Sequence, residues 1–152
     1  MMKAYFFAAL LIAGCTGSPK KAPAIEKGGA LKQIQLESKG CYGTCPQFSL
    51  SILQDGTARY DARAHNERQG QFSTTIKQPQ MDSLLALVDS AHYFSLKDNY
   101  PAMITDVVEY KSTLTLNDGT SKTITDQGPG GPAELTALYR FMLSLKTTQD
   151  WK

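Results

Sequence analysis

Histidine and tryptophan are scarce in this 152-residue chain, with two and one respectively, and there are only three cysteines. That supply leaves no helix with paired histidines and no pair of Cys-x-x-Cys units, so the common zinc spacings are absent. No nucleophile-elbow pattern occurs around any serine either, and an enzyme is not expected. Charge of one sign is also lacking. Sixteen Lys and Arg against fourteen Asp and Glu give a formal net charge of +2. No basic block is interleaved with aromatics, which excludes the electrostatic footprint of a nucleic-acid binder. Long apolar runs are missing as well. The longest, residues 4–13, has ten residues, about half of what a bilayer-spanning helix needs.

What is present begins with that short run. Lys3 supplies a positive start, residues 5–12 are apolar, and Ala13 and Gly14 are small residues beside Cys15. Ile12-Ala13-Gly14-Cys15 resembles the signal of bacterial lipoproteins, in which the leader is cut just before a cysteine that receives lipid. The resemblance implies a removable leader at residues 1–14, lipidation of Cys15, and a membrane as partner through that lipid. One acyl chain holds a protein only marginally, and the two or three chains implied here hold it durably. Thr16 stands where some lipoproteins carry an aspartate that retains them at the inner membrane. By that resemblance the expected address is the outer membrane, facing the periplasm.

Residues 15–30, with Pro19, Pro23, Gly28 and Gly29, read as the lipidated cysteine and a tether with little to bury. A flexible chain of that length reaches about 20 Å. Lys20 and Lys21 read as solvated. Removing the leader, whose only charge is Lys3, leaves fifteen basic against fourteen acidic residues. Residues 31–152 suit one domain and are too few for two comfortable ones.

Within that domain, Ile34 and Leu36 alternate with polar residues as an edge strand would. Residues 48–52 alternate with period two, Asp55-Gly56 turns, and residues 57–64 return, a strong hairpin signature because glycine accepts positive φ. Residues 71–77 read as a further strand. Pro79 suits a helix start, and Met81, Leu84, Leu85, Val88 and Ala91 form one stripe at helical spacing. Tyr93 and Phe94 are expected beneath its end. The plan then recurs: residues 112–116 alternate, Asp118-Gly119 turns, residues 120–125 return, and Pro132 opens a helix with Leu135, Leu138, Tyr139 and Met142 on one face. Convergence on good hairpin chemistry explains the likeness of the two halves better than duplication. The expected fold is α+β, an antiparallel sheet built of hairpins with two helices packed on one face.

The most distinctive segment is Gly40-Cys41-Tyr42-Gly43-Thr44-Cys45-Pro46. With Cys15 occupied by lipid, two cysteines remain, and outside the reducing cytosol a Cys41–Cys45 disulfide is the preferred reading. A second reading is copper or thiol-redox chemistry. Cys-x-x-x-Cys-Pro resembles the copper motif of thioredoxin-like chaperones of cytochrome oxidase assembly. That resemblance implies two thiolates on Cu(I), with His65 or His92 as third ligand. There the motif opens a helix, however, whereas here Pro46 leads into a strand. A third reading makes the turn a recognition surface, with Tyr42 as a rigid amphipathic ring. The competing view folds Tyr42 back onto the core.

The cysteine turn, the strand and Asp-Gly after it, Leu96-Lys97-Asp98-Asn99-Tyr100, Thr105-Asp106 and Asp118-Gly119 together resemble a domain-of-unknown-function family. That family occurs in bacterial secreted and lipid-anchored proteins, many from the Bacteroidetes group. The resemblance implies fold and location and assigns no activity. Asp98, Asp106 and Asp126 fall in loops where they could form a carboxylate cluster, though carboxylates at such places more often hold backbone N–H groups. Residues 127–132 read as a loop leading into the second helix rather than an anion site. The expectation is a lipid-anchored envelope module that binds or scaffolds a protein partner, with Tyr42 and Asp106 as candidate recognition residues and no cofactor.

Overall fold

The structure is a computed structural model that describes Ile25 and residues 29–104, 106–128 and 130–152. The leader, Cys15 and most of the segment read as tether lie outside the described residues. Seven strands form one sheet in the order β4-β3-β2-β1-β6-β7-β5. They are β1 (Leu31–Ser38), β2 (Phe48–Leu53), β3 (Thr57–Ala62), β4 (Gly70–Thr75), β5 (Asn99–Tyr100), β6 (Glu109–Leu116) and β7 (Ser121–Gln127). All neighbours pair antiparallel except the short β5, which lies parallel to β7. Helices α1 (Gln78–Ser90) and α2 (Ala133–Thr148) complete an α+β arrangement.

β1 corrects one expectation. It is a central strand, flanked by β2 and β6, not an edge. Alternation misleads here because the sheet is covered on one face only, so even its middle strands show polar residues to solvent. Ile34 and Leu36 are fully buried while Gln33, Gln35 and Glu37 lie on the open face. The same alternation buries Leu50 and Ile52 of β2, Ala58 and Tyr60 of β3, Leu114 of β6 and Ile124 of β7. Onto that face pack Met81, Leu84 and Val88 of α1 and Leu135, Leu138, Tyr139, Met142 and Leu145 of α2.

Both Asp-Gly turns form as local chemistry dictates. Gly56 and Gly119 adopt φ of +82° and +87°, and Asp55 and Asp118 each accept the N–H two residues on, at 2.8 Å. At Gly56 a side chain would also meet the carbonyl oxygen of Ile76 at 2.7 Å. The two hairpins sit on opposite sides of β1, and the first is followed by β4 before its helix. Tyr93, in a single 3-10 turn after α1, is buried.

The fold sets two poles. β1 starts at Leu31 opposite Leu116 and ends at Ser38 opposite Tyr110. One pole, the base, therefore holds the start of β1 and both Asp-Gly turns. The other, the tip, holds the cysteine turn and the loop between β5 and β6. Part of the segment read as tether belongs to the folded body. Ile25 is 3% exposed and packs in the core, and the Asn117 N–H donates to the Ala30 carbonyl at 3.0 Å.

Candidate functional site

The tip is built where β1 ends. Ser38 is buried, and its hydroxyl donates to the Pro46 carbonyl at 2.7 Å, closing the neck of the cysteine turn. Gly40 follows with φ +88°, where a side chain would strike Gln47. Cys41 and Cys45 are then joined by a disulfide, their Cα atoms 5.5 Å apart. The three residues between them, Tyr42, Gly43 and Thr44, are exposed. Tyr42 is 95% exposed rather than folded onto the core.

The second half of the tip comprises residues 101–104 and 106–108. The Tyr42 N–H donates to Asp106 Oδ1 at 2.8 Å, linking two loops far apart in sequence. Asp106 holds this position with φ +64°, a left-handed conformation that Asp and Asn tolerate better than most residues. On the same loop Met103 and Ile104 are fully and 70% exposed. Among the described residues, Tyr42, Met103 and Ile104 are the exposed large hydrophobic side chains, and all three border one cavity of about 600 Å³.

The cavity also has polar walls. Lys39 Nζ lies 2.9 Å from Glu109 Oε1, and the Gln127 amide donates to Glu109 Oε2 at 3.3 Å. The Lys39 hydrogen bond, then that from Gln127, hold the Glu109 carboxyl below its ordinary range, and the Glu109 hydrogen bond raises Lys39. Both lie at the surface, so the pair orders the site more than it stabilises the fold. The arrangement offers exposed aromatic and aliphatic groups beside an internally neutralised polar wall.

Sequence reasoning identified Cys41, Tyr42, Cys45 and Asp106, which the structure brings together, and missed Met103, Ile104, Lys39, Glu109 and Gln127. The missed signal was Pro101-Ala102-Met103-Ile104, an apolar stretch that belongs to no helical or strand stripe. The two histidines stand apart in separate turns, both in left-handed conformations. His65 follows β3 and lines a cavity of about 220 Å³ with Pro46 and Lys146. His92 ends α1. Among the described residues, no group of three or more His, Cys, Asp or Glu is placed to hold a metal ion.

The three aspartates expected in loops do not gather, and Asp126 is not in a loop but in β7, paired with Tyr110 and Tyr100. Asp98 pairs with Lys122 at 2.7 Å, Asp106 holds Tyr42, and Asp126 is buried with the Gly130 N–H on Oδ1 at 3.1 Å. Burial pushes the Asp126 carboxyl up, against the pull of the Gly130 and Gly131 N–H groups. Each of the three thus has its own local duty.

Comparison with known families matches residues 32–146 to a domain of unknown function, DUF6438. The chain belongs to the DUF6438 family. The matched region runs from β1 through nearly all of α2, so the cysteine turn and segment 101–108 both lie inside the family domain. No curated protein matches the chain.

Proposed function

We propose that this DUF6438 protein is a bacterial lipoprotein of the cell envelope whose domain binds a partner through its tip. In this reading Cys15 carries lipid, the address is the outer membrane on its periplasmic side, and the domain binds or scaffolds rather than catalyses. The observation that carries the binding function is the convergence of Tyr42, Met103 and Ile104 on one cavity. Exposed apolar patches rimmed by polar groups mark interaction sites, and here the Cys41–Cys45 bond closes the turn that carries Tyr42 while the Tyr42–Asp106 contact ties it to the loop that carries Met103 and Ile104.

The test has two arms. Mass spectrometry of the chain purified from membranes should find a diacylglyceryl group on Cys15 and no residues before it. In vivo crosslinking from position 103 should give adducts that vanish in Tyr42→Ala with Ile104→Ser while the circular dichroism spectrum is retained. Adducts of equal yield from the altered tip would sink the binding reading, and an unmodified Cys15 would sink the anchor.

A further inference from the structure

We infer that the β4 edge of the sheet is a strand-pairing surface for a second copy of this chain, and that Trp151 and Lys152 guard it. The two edges of the sheet differ. β5 offers two residues at one end of the strand order, whereas β4 offers six at the other. Natural edge strands are commonly blunted by charge or proline. β4 reads Gly70-Gln71-Phe72-Ser73-Thr74-Thr75 and holds neither.

The chain itself shows that this edge accepts extended backbone. The Ser73 N–H donates to the Lys152 carbonyl at 2.8 Å, and the Lys152 N–H donates to the Ser73 carbonyl at 3.0 Å. That reciprocal exchange is the hydrogen-bonded pair of an antiparallel ladder. Trp151 fixes the guard from the preceding position. It is buried, its indole N–H donates to the Leu145 carbonyl at 3.0 Å, and its ring lies 5.5 Å from that of Tyr60. Backbone direction alternates along a strand, so Gln71 and Thr75 turn their N–H and C=O groups the same way as Ser73. Lys152 engages Ser73, at the middle of that row.

The register names the occupant, because β4 is complementary to itself. A two-fold axis at Ser73 sets Ser73 against Ser73 of the copy, Gln71 against Thr75 and Phe72 against Thr74. The central pair then exchanges both backbone bonds, as Ser73 does with Lys152. Phe72 against Thr74 is an aromatic facing a β-branched residue, a favourable cross-strand pair, and like charges, which oppose pairing, are absent from the strand. Just beyond it Lys77 faces Gln69 and Arg68 faces Gln78, so the flanking cations do not meet either. The Gln71, Ser73 and Thr75 side chains are exposed, and the contact asks only that Lys152 withdraw. An isologous contact of this kind closes as a dimer.

The experiment deletes Lys152 alone, which frees both Ser73 groups and leaves Trp151 in the core. Lys152→Pro is the milder variant, since it removes the donor to the Ser73 carbonyl at unchanged chain length. Sedimentation equilibrium in density-matched detergent compares both with the native chain. The native chain is expected as a monomer, and the Lys152 deletion is expected to approach twice that mass as concentration rises, reversibly on dilution, with Lys152→Pro between them. Ser73→Lys is exposed in the monomer but meets its own copy in the dimer, so in the deleted background it should restore the monomer. Mixing deleted Ser73→Lys with deleted Ser73→Glu chains should then return a dimer holding one of each. A monomer at every concentration for the Lys152 deletion, with the circular dichroism spectrum retained, overturns the inference. A native chain that is a dimer overturns it too, as does a dimer that Ser73→Lys leaves intact, because its contact lies elsewhere.

Discussion

The Tyr42 N–H donates to Asp106 Oδ1 at 2.8 Å, across 64 positions of sequence. This contact couples the disulfide turn to the loop bearing Met103 and Ile104. Asp106 contributes twice, as acceptor and as a residue that tolerates φ +64°. Asn retains both abilities, whereas Ala retains neither. A left-handed conformation costs an ordinary L-residue about 1–2 kcal/mol, and a lost hydrogen bond about 1 kcal/mol more. Asp106→Ala is expected to abolish exchange protection of the Tyr42 amide, and Asp106→Asn to keep most of it. Hydrogen exchange read by NMR checks this, and protection of the Tyr42 amide retained in Asp106→Ala would show that Asp106 is not what holds the turn.

The Cys41–Cys45 bond closes a very short loop, so its entropic effect on the unfolded chain is small, about 2 kcal/mol. Urea unfolding of the Cys41→Ser, Cys45→Ser chain should show a loss of that size, with an unchanged slope against denaturant because the sheet core does not depend on the turn. Thiol counting supplies the complementary readout. A structural bond leaves fewer than a tenth of the native molecules reactive toward a maleimide in mild reductant. Ready reduction with the fold intact would instead favour thiol-redox chemistry at this pair.

Asp126 predicts an unusual pH response. Its side chain is 1% exposed, and Oδ2 has no hydrogen-bond partner. Burial raises its pKa, with the N–H groups of Gly130 and Gly131 acting in opposition. A carboxyl whose folded pKa lies above its unfolded value binds its proton more tightly in the fold. Its contribution to stability is thus fully present below the unfolded pKa, near 4, and is lost as pH rises through the folded pKa. Asp126→Asn removes that loss, because an amide stays neutral at every pH. The variant should therefore gain stability at pH 7 relative to the native chain, with the gain shrinking toward pH 4. Urea titrations at pH 4, 5.5 and 7 measure it. A deficit largest at pH 7 would mean that the two glycine N–H groups outweigh burial.

The features legible in the sequence were those set by neighbours in the chain. Asp55-Gly56 and Asp118-Gly119 specify their turns within four residues, and the stripes of Met81, Leu84 and Val88 and of Leu135, Leu138 and Met142 specify two helices and their buried faces. The cysteine turn was conspicuous for the same reason. What escaped depends on distant pairing. β1 looked like an edge because alternation reports which face is wet and not how many strands lie beyond. Met103 and Ile104 looked like loose apolar residues because their neighbour, Tyr42, is brought beside them by β1 and β6 pairing. Tyr42 exposure was undecidable locally, since Asp106 settles it from across the tip.

Ser112 is the clearest residue whose duty only the fold reveals. It shares the inner face of β6 with Leu114 and Leu116 and is fully buried. Its hydroxyl meets Tyr93 Oη at 2.7 Å and Tyr139 Oη at 2.9 Å. One small side chain therefore satisfies two buried phenols, from the turn after α1 and from α2. Burial pushes both phenols well above their ordinary range, so they stay neutral throughout the range where the protein is handled. Ser112→Ala strands both hydroxyls at about 1–3 kcal/mol for each buried group left unsatisfied. A loss of about 2–6 kcal/mol is expected, constant between pH 5 and 9, in contrast to the pH-dependent effect at Asp126. Tyr139→Phe should cost at least 1 kcal/mol less in the Ser112→Ala background than in the native chain, because its hydroxyl has already lost its partner. A double-mutant cycle in urea measures that coupling, and strict additivity would mean that water replaces Ser112 between the two rings.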